Sequence, residues 1–331
     1  MSFMNYTSLK ECYVEEIAAI ISNNYKKAGL AMPILSKSFE NVEIHLKMLK
    51  KYIDNDKFIV ALDNDKVAGF INGFSINNFK GTAKGVLSIP SFHGVAEGYD
   101  KDYLYSELYR RACEVWVNSG CYTHCIMVYE NDMDTIDTWV LNGFGKFVID
   151  AVRPLEIIDL PMVEDSIAIR KAEERDLPQM VCLFEGLHNH LASTPVCLYS
   201  DEEENYIEEY SNWLKIEGNV MWIAEKDNKI IGYIKTNTTE INIDELQDGE
   251  TMGVSGAYVF PEYRGNHIMA RLLNTATEWA IENGLKRCST DFEAANIEGR
   301  RFWLKHFTPF CISMIRRVDE RNHLALLSKG E

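Results

Sequence analysis

Apolar stretches broken by Asn/Asp turns and by helical spacing divide the chain into short strands and amphipathic helices. The pattern is clearest in the second half. Residues 166–170 read as a short strand. Asp176-Leu-Pro opens a helix to about Leu191, with Asp176 as its cap. Residues 202–215 form a second helix, with Tyr206, Tyr210, Trp213 and Leu214 spaced along it. Residues 220–225 and 229–236 read as a hairpin, and 251–259 as the next strand. A turn at Pro261 leads into a helix whose Ile268, Leu272, Leu273, Ala276, Trp279 and Ala280 share one face, and Asn283-Gly284 ends it. Residues 287–293 alternate as a strand, with Cys288, Thr290 and Phe292 on one side. A short helix at 298–306 and a last strand at 311–318 follow. These elements predict a mixed, mostly antiparallel sheet with helices on both faces.

The first half repeats the pattern. Ile59-Val-Ala-Leu-Asp-Asn-Asp-Lys-Val-Ala-Gly-Phe-Ile71 matches Trp222-Ile-Ala-Glu-Lys-Asp-Asn-Lys-Ile-Ile-Gly-Tyr-Ile234 without a gap. Each reads as strand, tight turn, strand. Downstream, Pro90-Ser-Phe-His-Gly94 lines up with Pro261-Glu-Tyr-Arg-Gly265. Leu108, Gly120 and Trp139 match Leu272, Gly284 and Trp303. Matches in series indicate two copies of one fold, over residues 1–158 and 159–331. Residues 159–165, with Pro161 among charges, suit a linker.

Composition excludes several classes. Of 331 residues, 46% are hydrophobic and 25% charged, ordinary for a globular protein. No apolar run approaches the ~20 residues of a membrane span, and the first ten residues lack a signal-peptide stretch. Eight scattered cysteines form no disulfide framework, so a cytoplasmic location is expected. The net charge of −16 is uneven. Residues 1–153 carry 16 Lys+Arg against 19 Asp+Glu, and residues 154–331 carry 18 against 31. Nucleic acid is a poor partner for either half. A cationic small molecule suits the second.

The stretch richest in chemistry is Tyr258-Val-Phe-Pro-Glu-Tyr-Arg-Gly-Asn-His-Ile-Met-Ala-Arg-Leu-Leu273. A strand ends, the chain turns, and a helix starts near Gly265 or Asn266. First-turn N–H groups and the positive end of the helix dipole suit a diphosphate. Gly265 permits close approach, and Arg264 adds a cation.

The order Val259-x-Pro261-x-x-Arg264-Gly265, amphipathic helix, strand ending at Asn296, then a helix carrying Phe302-Trp303, resembles the GNAT superfamily of acyl-CoA-dependent N-acyltransferases. The resemblance covers roughly residues 166–318. It implies an α/β (α+β) protein of two tandem GNAT folds, with acetyl-CoA as cosubstrate and a small amine as acceptor. It assigns the pantetheine arm to the strand at Val259. The pyrophosphate goes to backbone N–H groups of Arg264, Gly265, Asn266, His267, Ile268, Met269 and Ala270. Asn296 matches the Asn that closes the family's next strand. Monomer and homodimer both fit.

Three positions depart from the family pattern. His267 and Met269 stand where glycine or a small residue is usual. Both are tolerated in helical conformation, and His267 can donate to a phosphate. Trp303 stands where many relatives carry a Tyr that protonates the thiolate. An indole N–H is a poor acid, so Trp303 is expected to pack on the pantetheine arm or in the core. Missing glycines and the missing Tyr leave a rival reading, a non-catalytic CoA sensor or interaction module. The acceptor must be neutralised by a base; Asp291 and Glu293 on one strand face, and Glu250 before the other strand, are candidates. Gly253, Ser255 and Gly256 make 251–259 an easy place for a bulge presenting an N–H to the thioester oxygen.

Other features weigh less. Cys121, His124 and Cys125 lack a fourth ligand, and alternation points His124 away from Cys125, so no metal is expected. His188 and His190 are possible acceptor contacts. The acidic run 201–204 either caps a helix or attracts a cation. In the first copy His93 replaces the Arg, and the turn alignment implies seven extra residues after Gly94. Glu97, Asp100 and Asp102 there would repel a diphosphate, which marks this copy as degenerate.

Overall fold

A computed structural model describes residues 4–79, 84–162, 166–199, 205–239, 241, 243–321 and 323. The acidic run 201–204 and part of the expected linker, 163–165, lie outside the described residues. The chain forms two compact units, Met1–Ile149 with Phe310–Glu331, and Asp150–Pro309.

The first unit contains β1 (Asn5–Ser8), α1 (Val14–Ala31), α2 (Val42–Leu49), β2 (Ile59–Asp63), β3 (Lys66–Ile71), β4 (Phe74–Ile76), β5 (Gly85–Ser88), β6 (His93–Val95), α3 (Lys101–Asn118), β7 (Thr123–Tyr129) and α4 (Met133–Leu141). β8 (Gly145–Pro154) runs across the boundary at residue 150. The strands form an antiparallel order β1-β2-β3-β6 and a second group led by β4-β5-β7. Alternation along β2 builds two cores. Val60 and Leu62 pack with Ile17 and Ile21 of α1, and Ile59 and Ala61 with Leu104 and Leu108 of α3. Helices therefore cover both faces.

The second unit contains β9 (Ala168–Lys171), α5 (Leu177–Ser193), α6 (Tyr206–Trp213), β10 (Val220–Lys226), β11 (Lys229–Asn237), β12 (Thr251–Val259), α7 (Ile268–Glu282), β13 (Arg287–Glu293) and α8 (Ile297–His306). β9-β10-β11-β12 are antiparallel, and β13 adds parallel to β12. Phe184 and Tyr210 of α5 and α6 pack on Ile223, Tyr233 and Tyr258. α7 packs on β10, β11 and β12; its Trp279 shares the Lys171 ammonium with Trp222. Asp176 occupies the cap position of α5, but its carboxylate binds Arg170 and the Glu173 N–H instead of the helix end.

The hairpins repeat in detail. Asn64-Asp65 and Asp227-Asn228 both turn with positive φ at two residues. The pairing irregularity falls at Ala61/Leu62 in one and Ala224/Glu225 in the other, 163 residues apart.

Two expectations change. β14 (Thr308–Arg317) pairs with β7, Cys311 opposite Tyr129 through Arg317 opposite Thr123. From Phe310 to the end of β14 the chain thus belongs to the first unit, contrary to a linear boundary at 158/159. The reason is burial: Ile312 and Met314 sit in the core built around Trp139 and Ile126. Strand register also replaces the turn alignment. Gly69 pairs with Val95 and Gly232 with Val259. Val95 and Val259 are therefore equivalent at the same spacing as Leu108 and Leu272, and no seven-residue insertion exists. His93, opposite Ile71, corresponds to Ala257, opposite Ile234, and not to Arg264. A Pro-x-x-x-Gly match is local, whereas backbone pairing constrains the whole strand.

Candidate active site

The site grows from a split between β12 and β13. Their parallel ladder runs from Thr251 opposite Arg287 to Val254 opposite Thr290, then stops. At that point β12 carries an extra residue. Lys235 faces Gly256 and Thr236 faces Val254, so Ser255 is left over as a bulge. Beyond it β12 stays paired with β11 as far as Val259, while the edge facing β13 has left its ladder. Ser255 is exposed, and Gly256 and Ala257 half-exposed, between buried Val254 and buried Tyr258. A helix N–H ladder cannot close such a gap; a ligand's amide groups can.

A cavity of about 870 Å³ opens at this split. Its walls are residues 158–161, residues 254–259 of β12, 290–293 of β13, the loop and first turn of α7, one side of α8, and Leu187, His190 and Leu191 of α5. Tyr258 anchors β12 against α5. A Cβ at Gly186 would lie 2.7 Å from the Tyr258 ring, so the helix approaches this closely only with glycine there.

The loop before α7 is left-handed twice, Gly265 at φ +84° and His267 at φ +55°. α7 begins at Ile268, later than expected, and His267 caps it with no side-chain bond to the helix end. His267 is therefore not in helical conformation, contrary to expectation. Ile268, Met269 and Ala270 of the first turn of α7 line the cavity, and no side chain caps the helix end.

Arg264 is not an isolated cation. Its Nε donates to the Val259 carbonyl at 3.1 Å, its Nη1 to Glu298 Oε2 at 2.6 Å, and its guanidinium lies 5.3 Å from the Tyr258 ring centroid. Glu298 also lies 3.7 Å from His190 Nε2, which is 3.1 Å from Asn296 Oδ1. Asn296 Oδ1 caps α8 through the Gly299 N–H. One polar cluster thus ties the end of β12, α5 and the start of α8. Glu298 was not singled out in the sequence; it is 34 residues from Arg264, and no periodicity links the two.

Of the residues expected at the site, Val259, Arg264, Gly265, His267, Ile268, Met269, Ala270, Asp291, Glu293, Asn296 and Trp303 all line this cavity. Asn266 does not; its side chain turns back to the Tyr263 carbonyl at 3.3 Å. Glu250 lies at the closed end of the strands, paired with Lys286. His188 is bonded to Tyr206 Oη at 2.9 Å, outside the cavity wall. Trp303 is buried, edge-on to Phe302 and Phe307. His306, on the same helix, lines the cavity; burial first, then the charges of Arg153 and Lys305, lowers its pKa. Cys121, His124 and Cys125 are core residues: His124 bonds Tyr109 Oη and the Cys121 carbonyl. Among the described residues no group of His, Cys, Asp or Glu could hold a metal ion, and no helix is long and apolar enough to cross a membrane.

Residues 184–307 match the acetyltransferase (GNAT) family. An uncharacterized N-acetyltransferase of Archaeoglobus fulgidus is 28% identical over 138 residues, covering 41% of this chain and 88% of the relative. A GCN5-related N-acetyltransferase of known structure from Sphaerobacter thermophilus superposes over 95% of each chain, with TM-score 0.59 and 11% identity. The glucosamine N-acetyltransferase region of a fungal multi-domain β-N-acetylglucosaminidase superposes over 95% of this chain and 38% of that one, with TM-score 0.55 and 13% identity. The matched family uses acetyl-CoA.

Proposed function

We propose that the second unit transfers an acetyl group from acetyl-CoA to the amino group of a small cationic acceptor. The observation that carries this reading is the bulge at Ser255, at the apex of a split whose cavity ends on the uncapped first turn of α7. The lining fits the cosubstrate. The stretch of β12 that has left the β13 ladder, running from Ser255 to Val259, suits the amides of a pantetheine arm. No atom lies within 4 Å of a Cβ built at Gly265, and no carboxylate occurs from Asn266 to Leu273, so the α7 N-terminus can receive a diphosphate. Acetyl-CoA supplies the acetyl group in activated thioester form. A backbone N–H at the bulge, residues 255–256, stabilises charge developing on the acyl oxygen. Asp291 and Glu293, at the far end of β13, take the proton from the attacking amine, directly or through water. Asp159, Asp291 and Glu293 on the wall favour a cationic acceptor.

In the first unit, Asp100 caps α3 through the Tyr103 N–H, and Lys101 is clamped between both oxygens of Asp132 at 2.7 Å. These contacts support reading it as a copy without a working cofactor site. Release of CoA thiol over a panel of amines tests the proposal. Diamines should turn over with a Michaelis constant that rises with salt. Turnover of anionic amines alone overturns the acceptor class, and acetyl-CoA binding with no turnover on any amine would favour the sensor reading.

A further inference from the structure

The first unit has a cavity of its own. It measures about 270 Å³ and lies among α1, the end of β6 and the starts of α3 and α4. Its floor is a buried polar relay. His93 lies with Nε2 2.8 Å from the Met127 carbonyl, so Nε2 carries the proton, and Nδ1 accepts from Tyr105 Oη at 3.2 Å. Thr135 donates to Asp132 at 2.8 Å, and Asp132 holds Lys101. Burial lowers the His93 pKa to about 4, so the imidazole is neutral. His93 and Thr135 are fully or nearly buried. A hydrophobic fold does not need such a network at the base of an opening, and apolar residues would fill the space at less desolvation cost.

The lining selects a ligand class. Both lysines on the wall face carboxylates, Lys101 with Asp132 and Lys27 with Glu97 at 3.7 Å, so an ionic ligand finds no unpaired counter-charge. The rim instead carries the amides of Asn23 and Asn24, which both donate and accept. Tyr rings supply apolar faces. At ~30 Å³ per water the space equals about nine waters, the size of a monosaccharide. We propose that the first unit binds an uncharged, polyhydroxylated ring molecule of monosaccharide size in this cavity, independently of the acyl-transfer site.

The test uses the full-length chain and three probes, D-glucose, D-ribose and myo-inositol, followed by calorimetry or saturation-transfer NMR at up to about 10 mM. At least one should bind at one site per chain. Asn24→Trp, on the half-exposed side of α1, fills the cavity and should weaken binding at least about tenfold. Tyr105→Phe removes the hydroxyl above His93 and should weaken it without filling space. If Asn24→Trp fails to fold by circular dichroism, Tyr105→Phe alone decides. Gly265→Glu in the second unit should leave the probe's affinity unchanged. No binding by any probe, tighter binding of acetate or ethylammonium, or binding unaffected by Tyr105→Phe would overturn the proposal.

Discussion

Replacing Gly265 separates the three things its position contributes. Gly265 sits at φ +84°, and an added Cβ meets no atom within 4 Å. Gly265→Ala therefore costs about 1–2 kcal/mol of backbone strain. That strain is present with and without ligand, so it lowers stability and leaves affinity for acetyl-CoA nearly unchanged. Gly265→Gln adds bulk at the mouth of the α7 N-terminus. Gly265→Glu adds the same bulk and a charge. A carboxylate about 5 Å from a diphosphate at an effective dielectric of about 20 is repelled by roughly 3 kcal/mol, about half of it surviving physiological salt. Glu should therefore bind acetyl-CoA about tenfold or more weakly than Gln, and the gap should narrow at high salt. Titration calorimetry on the folded variants reads each difference. Equal affinities for the Glu and Gln variants would refute the placement of the diphosphate at this turn.

Trp303→Phe keeps the packing on Phe307 and should retain turnover within about tenfold; a loss beyond ~100-fold with intact fold would assign the indole N–H a role in the transition state. Glu298→Gln releases Arg264 from its ion pair and should tighten acetyl-CoA binding up to about fivefold, the range of an exposed pair; an unchanged constant would mean that Arg264 stays on Val259. Met314→Ala should destabilise the first unit by about 2–5 kcal/mol in urea unfolding, and a neutral result would remove β14 from that core. His124, neutral with its pKa lowered by burial to about 4, binds its proton more weakly folded than unfolded. Its stabilising contribution is present above about pH 6.5 and falls by about 1.4 kcal/mol per pH unit toward pH 4. His124→Gln should flatten the pH dependence of unfolding over that window, and an unchanged slope would contradict a buried neutral imidazole.

Elements with strong local signals were legible in the sequence. Both hairpins follow from Asn/Asp turns, and α7 from its apolar stripe. The bulge near Ser255 follows from clustered small residues, since Gly253 and Gly256 bring no side chain of their own to hold the strand straight. Features set by distant partners were not legible. β14 alternates as any strand does, and only the burial of Ile312 and Met314 decides which sheet receives it. His267 shows nothing in sequence of its left-handed backbone, because that conformation is imposed by the turn after Gly265. The Arg264–Glu298–His190–Asn296 cluster joins three elements far apart in the chain. The misaligned first-copy turn shows the same limit: a five-residue match outweighed a strand register that sequence does not display.

The central claim is that the second unit moves an acetyl group from acetyl-CoA onto an amine. Mass spectrometry of the acceptor after incubation with isotopically labelled acetyl-CoA and a diamine tests it most directly. The account predicts one labelled acetyl group on the amine per CoA thiol released, with the rate at subsaturating acetyl-CoA lowered about tenfold or more by Gly265→Glu and unaffected by His93→Ala. Thiol release without label on any amine, or transfer that is unchanged at subsaturating acetyl-CoA by Gly265→Glu and is lost with His93→Ala, would contradict it.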